Sequence, residues 1–401
     1  MTIVLTGGGS GGHITPILAV ASELKRLQPG VHLVYIGQTG DGLGDIPAAD
    51  PNIDEVFTVR AGKFRRYHGE GFKQLLDIKT MTLNARDTGY VIKGLWQSRR
   101  LLKTLQPDLV FIKGGFVGVP VGLAAAQLGI PYITHDSDAI PGLANRIIAK
   151  WAAKHAVAMP ADVYSYPLNK TISTGIPLQS SFVSMTPDLK MVYRDEIKVP
   201  QAAKMLFIIG GGLGSETINN AISEAVPHLL NEMSDLYVTH VAGRNSEGEV
   251  RASYKEALNE AQQGRIQVFG YLSDVFRYSG AADVVVTRAG ATNLAEFALQ
   301  GKASVVIPSP FLTGGHQLKN ADVLAEQGAV EVLDEVSMVD DPNRLAKLLS
   351  ELLRDPKRQQ KLGEAFQKLA KPHASHDLAM VLLEEAKNKQ PGKHEVSKSQ
   401  T

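Results

Sequence analysis

The 401-residue chain contains no cysteine. Disulfides, zinc–thiolate sites, iron–sulfur clusters and thiol nucleophiles are therefore excluded. Neither sign of charge is in excess: 42 Lys and Arg stand against 41 Asp and Glu, for a formal net charge of +1. The basic footprint that grips nucleic acid is missing, and nucleic acid is not an expected partner. No clean apolar run reaches the roughly 18–20 residues of a membrane span. The nearest approach, residues 117–133, is broken by Pro120, Gly122, Gln127, Gly129 and Pro131. The chain opens on a short apolar stretch and passes at once into glycines, without the basic region of a secretory signal. Any membrane contact is expected to be peripheral. What is present is ordinary globular composition, 44% apolar and 21% charged. At about 150 residues per domain the length predicts two or three domains.

The organisation repeats. Residues 3–5 form a short buried strand, residues 7–12 a glycine loop, and Ile17, Val20, Ala21 and Leu24 then follow helical spacing. Thr15 is placed to cap that helix, with Pro16 in its first turn. The same order returns mid-chain: a strand at 205–209, a glycine loop at 210–214, and a helix from Ser215 with Ile218, Ile222 and Ala225 on one face. Further strands are expected at 32–36, 109–112, 132–134, 237–241, 267–269, 284–287 and 304–307, alternating with helices. Alternation of this kind implies parallel sheets covered by helices. The predicted fold class is α/β: two doubly wound, Rossmann-like parallel-sheet domains facing across a cleft. The expected divisions are 1–176, 177–371, a helix near 376–386, and a polar, disordered tail over 388–401.

In such sheets ligands sit beyond the carboxyl ends of the strands, where these glycine loops lie. Gly7-x-Gly9-x-x-Gly12 formally matches a dinucleotide fingerprint, but the second strand ends at Gly37-Gln38 with no acid until Asp41, which counts against NAD. There is no GxxxxGK[ST], so P-loop hydrolysis is excluded. Two glycine loops whose amides can approach an anion point instead to diphosphate ligands, although single glycines also serve tight turns.

Three clusters carry chemistry. His13 sits at the mouth of the first loop, as a proton acceptor or as an imidazole bonded to its own loop. The run 134–145 contains Asp136-Ser137-Asp138. Those carboxylates read as caps of the coming helix, the more common use, or as a pair able to hold Mg²⁺. The run 287–296 contains Asn293-x-x-Glu296. That spacing reads as a capping box, or Glu296 accepts hydrogen bonds from two ribose hydroxyls. Gly314, Gly315, His316 and Gln317 form a polar loop, in which Gln317 can donate and accept toward sugar hydroxyls.

TGGGSGGHITP (residues 6–16), GKFRRY (62–67), GGFVGVP (114–120), HDSDAIPGLAN (135–145), TRAGATNLAE (287–296) and HQLKNA (316–321) together resemble the MurG family of inverting GT-B glycosyltransferases, glycosyltransferase family 28. The similarity covers residues 3–332. It implies transfer of N-acetylglucosamine from UDP-GlcNAc to the muramyl 4-hydroxyl of lipid I, giving lipid II on the cytoplasmic face of the cell membrane. It places acceptor binding in the amino-terminal domain and donor binding in the carboxyl-terminal one, with a final helix crossing back. It implies that His13 and Asp136 are the catalytic candidates, with His13 as base. It implies donor contacts at Gly211, Gly212, Ser215, Leu272, Ala291, Thr292, Glu296, His316 and Gln317. Acceptor contacts fall on Gly9, Ser10, Gly11, Gly12, Gly115, Phe116, Asp138 and Asn145, and Asn219 matches a polar cleft position. No metal is obligatory, with Mg²⁺ at most a stimulant.

Phe64, Arg65, Arg66, Phe72, Lys73, Leu75, Leu76, Ile78, Lys79 and Met81 mix apolar and basic groups suited to anionic headgroups, or to an ordinary amphipathic helix. The chain also departs from the family pattern at Asp136, Asp138, Phe116, Gly212, Leu213 and Gln179. Those departures keep other readings open: another glycolipid acceptor, or a sugar-nucleotide-binding homologue without catalysis.

Overall fold

A computed structural model describes residues 1–9, 11–62, 78–212, 214–310, 315–341 and 343–388. Ser10, Leu213, Gly314, Phe64, Arg65, Arg66, Phe72, Lys73, Leu75 and Leu76 lie outside the described residues, as does the tail from 389 on; of Ile78, Lys79 and Met81 only the helical backbone is described. The chain divides into two compact units, Met1–Gln179 together with the segment from His373 onward, and Ser180–Pro372.

In the first unit the strands are β1 (Thr2–Thr6), β2 (His32–Gln38), β3 (Glu55–Val59), β4 (Leu109–Ile112), β5 (Tyr132–Asp136), β6 (Lys154–Val157) and β7 (Thr171–Ser173). They pair in parallel in the order β3-β2-β1-β4-β5-β6-β7. In the second unit β8 (Lys204–Ile209), β9 (Leu236–Val241), β10 (Ile266–Phe269), β11 (Val284–Thr287), β12 (Ala303–Val306) and β13 (Glu331–Val332) pair in the order β10-β9-β8-β11-β12-β13. Each sheet reverses its winding beside its first strand, between β1 and β4 in one and between β8 and β11 in the other. That reversal opens a crevice at the carboxyl ends of those strands. Both glycine loops leave from that point.

Central strands are apolar throughout because helices cover both faces. Ile3, Val4, Leu5, Leu109, Val110, Phe111, Leu206, Phe207, Val284 and Val285 are all inaccessible to solvent. The strands not expected from sequence, β3, β6, β7 and β13, lie at or next to the sheet edges, where short runs such as Lys154–Val157 mix polar and apolar residues. The last helix, Ala374–Asn388, belongs to the first unit. Its Leu378, Ala379, Leu382, Leu383 and Ala386 pack with Ile3, Leu5 and Ile17. Each fully buried leucine contributes about 1.5–3 kcal/mol. Ser375 Oγ accepts the Leu178 N–H at 3.0 Å and donates to the Leu178 carbonyl at 2.8 Å, pinning the helix start to the end of the first unit.

Three local expectations change. The first helix runs Gly11–Leu27, so Pro16 lies inside it and Thr15 does not cap: its hydroxyl bonds back to the Gly11 carbonyl at 3.1 Å. The helix Leu143–Ile148 is preceded by Gly142, and neither Asp136 nor Asp138 is its N-cap. The helix Ala291–Leu299 begins after Gly290 without a side-chain cap, so Asn293 and Glu296 form no capping box.

Candidate functional site

At the switch point of the first sheet, side chains from several strands hold the glycine loop that follows β1. Tyr35 donates its hydroxyl hydrogen to the Gly7 carbonyl at 2.5 Å, and the Gly9 amide donates to Asp41 Oδ2 at 2.8 Å. Gly115, at φ +81°, packs so tightly that a Cβ there would stand 2.5 Å from the Gly8 carbonyl oxygen. That contact is the physical reason for the second glycine of the 114–115 pair. Gly11 and Gly12 open the helix that carries His13, and Phe116 lies half-buried against the loop.

His13 Nδ1 lies 3.0 Å from the Gly8 carbonyl. A carbonyl only accepts, so the proton sits on Nδ1 and Nε2 carries the lone pair. A Cβ on Gly114 would stand 3.6 Å from His13 Nε2 and 3.9 Å from Asn145 Nδ2, which brings histidine and asparagine to one corner. Burial, and then the Lys113 ammonium, lower the His13 pKa to about 4, against the opposing pull of the Gly8 carbonyl, Asp138 and Asp41. The ring is neutral at pH 7.

Asp136 is 4% exposed at the end of β5, and both its oxygens are engaged. Oδ1 accepts from the Gly142 amide at 3.0 Å and Asn145 Nδ2 at 3.0 Å, and Oδ2 accepts from Tyr166 at 2.8 Å. Burial raises its pKa while those donors oppose the rise. The geometry makes Asp136 the anchor of the 136–145 loop, with these donors filling three of the roughly four acceptor positions of a carboxylate. Asn145 also donates to the His135 carbonyl at 2.9 Å, while its buried Oδ1 has no partner among the described residues. Tyr164 donates to the Asp138 carbonyl at 3.1 Å, and the Asp138 carboxylate acts on His13 and Lys113.

The second switch point is built differently. Arg288 follows β11 and is almost buried. Its guanidinium pairs twice with Glu335, at 2.7 and 2.8 Å, and reaches Ser215 Oγ at 2.7 and 3.1 Å. Ser215 also caps the helix Glu216–Glu232 by accepting the Ile218 amide. With its lone pairs facing N–H groups, the Ser215 hydroxyl is left to donate, the role a phosphate requires. Gly211 takes φ +95°, and nothing among the described residues crowds the Cβ positions of Gly211 or Gly212. Ala291 and Thr292 are the first residues of the Ala291–Leu299 helix, where uncapped amides favour an anion.

Glu296 lies one turn further along, partly accessible, and no donor among the described residues reaches its carboxyl. Burial pushes its pKa up to about 8. His316 begins the helix His316–Glu326 after Gly315, which is left-handed at φ +64°. Gln317 Oε1 accepts the Ser309 amide at 2.9 Å, so it offers N–H rather than both functions. Leu272 packs against the core beside exposed Tyr271, over which the Arg244 guanidinium lies at 4.6 Å. Asn219 packs inside the second unit. It is 2% exposed, donates to the Ala242 carbonyl at 2.9 Å and bonds His240 at 3.1 Å, locking the end of β9 to its neighbour.

Sequence reasoning did not single out Lys113, Asp41, Tyr166, Arg288 or Glu335 as functional. Lys113 could have been found as a lone cation between a buried strand and a glycine pair. The Arg288–Glu335 pair joins residues 47 apart and has no local signature. On the surface, the helix Ile78–Leu105 exposes Trp96 (76%) and Ile92 (56%) beside exposed Lys93, Arg99, Arg100 and Lys103. No acid occurs in residues 88–107. Among the described residues, no helix is long and apolar enough to cross a membrane.

The architecture is that of the GT-B class of glycosyltransferases. It matches the crystal structure of Acinetobacter baumannii MurG with a TM-score of 0.69 at 24% identity, covering 96% of this chain and 99% of that one. An S. aureus MnaA–UDP co-structure matches with a TM-score of 0.64 at 16% identity, covering 94% of each chain. At these identities the likeness is one of fold. Residues 3–157 match the glycosyltransferase family 28 N-terminal domain and residues 205–378 the family's C-terminal domain. The chain belongs to glycosyltransferase family 28. It is 32% identical over 383 residues to the UDP-N-acetylglucosamine–N-acetylmuramyl-(pentapeptide) pyrophosphoryl-undecaprenol N-acetylglucosamine transferase of Natranaerobius thermophilus, covering 95% of this chain and 99% of that protein. A Desulfitobacterium hafniense protein of the same name is 30% identical over 392 residues, covering 96% and 100%.

Proposed function

We propose that this chain transfers N-acetylglucosamine from UDP-GlcNAc to the muramyl 4-hydroxyl of lipid I, with inversion, giving lipid II. The observation that carries the reading is the near-full-length identity to transferases named for that reaction. The two switch points are consistent with a division of labour, acceptor on the first domain and donor on the second.

The acceptor oxygen forms a bond to the anomeric carbon as the bond to the β-phosphate oxygen breaks. His13 Nε2 takes the hydroxyl proton, its lone pair fixed by the Nδ1–H bond to Gly8. Negative charge grows on the departing UDP. The amides that begin the Ala291–Leu299 helix and the Ser215 hydroxyl, whose oxygen accepts from Arg288, are the groups proposed to meet it. Glu296 reads the ribose hydroxyls, and the Gln317 N–H faces the sugar. Asp136 acts by holding the loop that carries Asn145 and Asp138. These donors supply the stabilisation a metal would give, so the proposed transfer has no obligatory metal, with Mg²⁺ as a stimulant at most.

Because lipid I is membrane-bound, the enzyme works as a peripheral protein on the cytoplasmic face. The Trp96 and Ile92 face, with its four cations, suits an anionic headgroup layer.

The test is label transfer from UDP-GlcNAc to a short-chain lipid I analogue, with and without EDTA, beside UDP-glucose and a diacylglycerol acceptor. Transfer confined to UDP-GlcNAc and lipid I, persisting in EDTA, is expected. Donor binding without transfer to lipid I would overturn the assignment.

A further inference from the structure

Three parallel rings stand beside the 136–145 loop. His155, in β6, stacks on Tyr166 with ring centroids 3.9 Å apart and planes 9° from parallel. Tyr164 lies parallel to Tyr166 at 6.2 Å and 1°. The sheet anchors the stack, because His155 Nδ1 lies 2.8 Å from Thr134 Oγ1 of β5. Both tyrosines are buried, and each sends its hydroxyl to the same loop. Tyr166 donates to Asp136 Oδ2 at 2.8 Å, and Tyr164 to the Asp138 carbonyl at 3.1 Å. Phenylalanine would keep the stack, so ring packing accounts for the aromatic side chains and not for the hydroxyls.

Asp136 passes the constraint on. Its Oδ1 accepts from Asn145 Nδ2 at 3.0 Å, and the same nitrogen donates to the His135 carbonyl at 2.9 Å. A carboxylate and a carbonyl only accept, so the amide nitrogen must face them and Oδ1 is turned away. That oxygen is buried and has no donor among the described residues. A buried amide oxygen without a donor costs free energy, which a ligand O–H or N–H would recover. The amide shares its corner with the proposed base, since a Cβ on Gly114 would stand 3.9 Å from Asn145 Nδ2 and 3.6 Å from His13 Nε2.

We propose that Tyr166 is a positioning residue for the acceptor site: through Asp136, its hydroxyl sets the orientation of the Asn145 amide at the corner shared with His13. The inference rests on the proposed binding of lipid I by the first domain. In that reading the muramyl sugar gives one hydroxyl proton to His13 Nε2 and places a second O–H or N–H on Asn145 Oδ1. Tyr166 itself touches no substrate. Its hydroxyl belongs to a chain of three side chains that ends on an open acceptor atom.

The experiment is a double-mutant cycle on acceptor kcat/KM, run beside NMR of the Asn145 side-chain ¹⁵N–¹H pairs in the full chain, assigned by their loss in Asn145→Ala. Tyr166→Phe keeps the ring on His155 and removes only the hydroxyl. It is expected to lower acceptor kcat/KM by about tenfold, the usual worth of a hydrogen bond to a charged group. The KM for UDP-GlcNAc should stay within about twofold. In an Asn145→Ala background the hydroxyl has no amide left to orient, so Tyr166→Phe should then change acceptor kcat/KM by less than about twofold. The Asn145 pairs should shift in Tyr166→Phe without any substrate. If that variant fails to fold, Asp136→Asn, which keeps the shape and removes the charge, is expected to give the same non-additive loss. Equal losses with and without Asn145 overturn the proposal, because a merely structural defect would add to any other. So do unmoved Asn145 pairs in a folded variant. The NMR arm needs no turnover: shifted pairs in a protein that transfers nothing to lipid I condemn the reaction and leave the tether from Tyr166 to Asn145 standing.

Discussion

Glu296→Gln is the perturbation that most directly tests the donor site. Glu296 has no donor among the described residues, and burial raises its pKa from 4.5 to about 8. At pH 7 such a carboxyl is about 90% protonated. Two ribose hydroxyls donating to it would stabilise the carboxylate. Binding of UDP-GlcNAc at pH 7 should then release close to one proton, about 0.9 per site. The same shift acts on the fold. Between pH 4.5 and about 8 the unfolded chain has lost the proton and the folded chain keeps it, so stability falls as pH rises through that window. At about 1.4 kcal/mol per tenfold, the loss would be up to about 5 kcal/mol above pH 8. The side chain is partly accessible, and water reduces this to on the order of 2–4 kcal/mol. Glu296→Gln removes the titration, so the variant should lose less stability than the parent between pH 5 and 9 and bind donor without proton release. Calorimetry at pH 7 in two buffers of different ionisation enthalpy counts the protons, and urea unfolding across that range measures the difference. Zero proton release by the parent on donor binding would refute the reasoning.

Breaking the Arg288–Glu335 pair with Glu335→Ala leaves an almost buried guanidinium without its carboxylate, held only by Ser215 and the Ile307 carbonyl, and should cost about 3–5 kcal/mol in urea unfolding; a loss under about 1 kcal/mol would mean that the pair contributes little. His13→Ala should lower turnover by about 10²–10⁴, and a loss below tenfold with an unchanged circular dichroism spectrum rules out the base. Ile92→Glu with Trp96→Glu should abolish flotation with anionic vesicles while sparing transfer to a water-soluble acceptor analogue; undiminished flotation would move the membrane face elsewhere.

The two halves of the molecule were legible because their signals are local. Residues 3–5 and 205–209 are short apolar runs that stop at glycines, and helical spacing resumes within a few residues. That pattern needs no partner to be read. The edge strands β3, β7 and β13 escaped notice for the opposite reason. β3 and β7 carry polar, half-exposed residues, and only pairing with an already formed neighbour makes them strands. Capping was misjudged where side chains had better partners: Asp136 serves Gly142, Asn145 and Tyr166 rather than the end of a helix.

Sequence alone determined the fold class, the place of both glycine loops, and the candidacy of His13 and Glu296, because strand-loop-helix patterning and residue type are written within short windows. Tertiary structure decided what those groups can do. The Gly9 amide, free in principle, donates to Asp41, 32 residues away. Ser215 is turned into a donor by Arg288, 73 residues away. The charge state of His13 is set by burial and by Lys113, 100 positions along the chain. Proton affinity and hydrogen-bond direction depend on desolvation and on which groups meet in space, and chain order carries neither until the sheet brings the loops together.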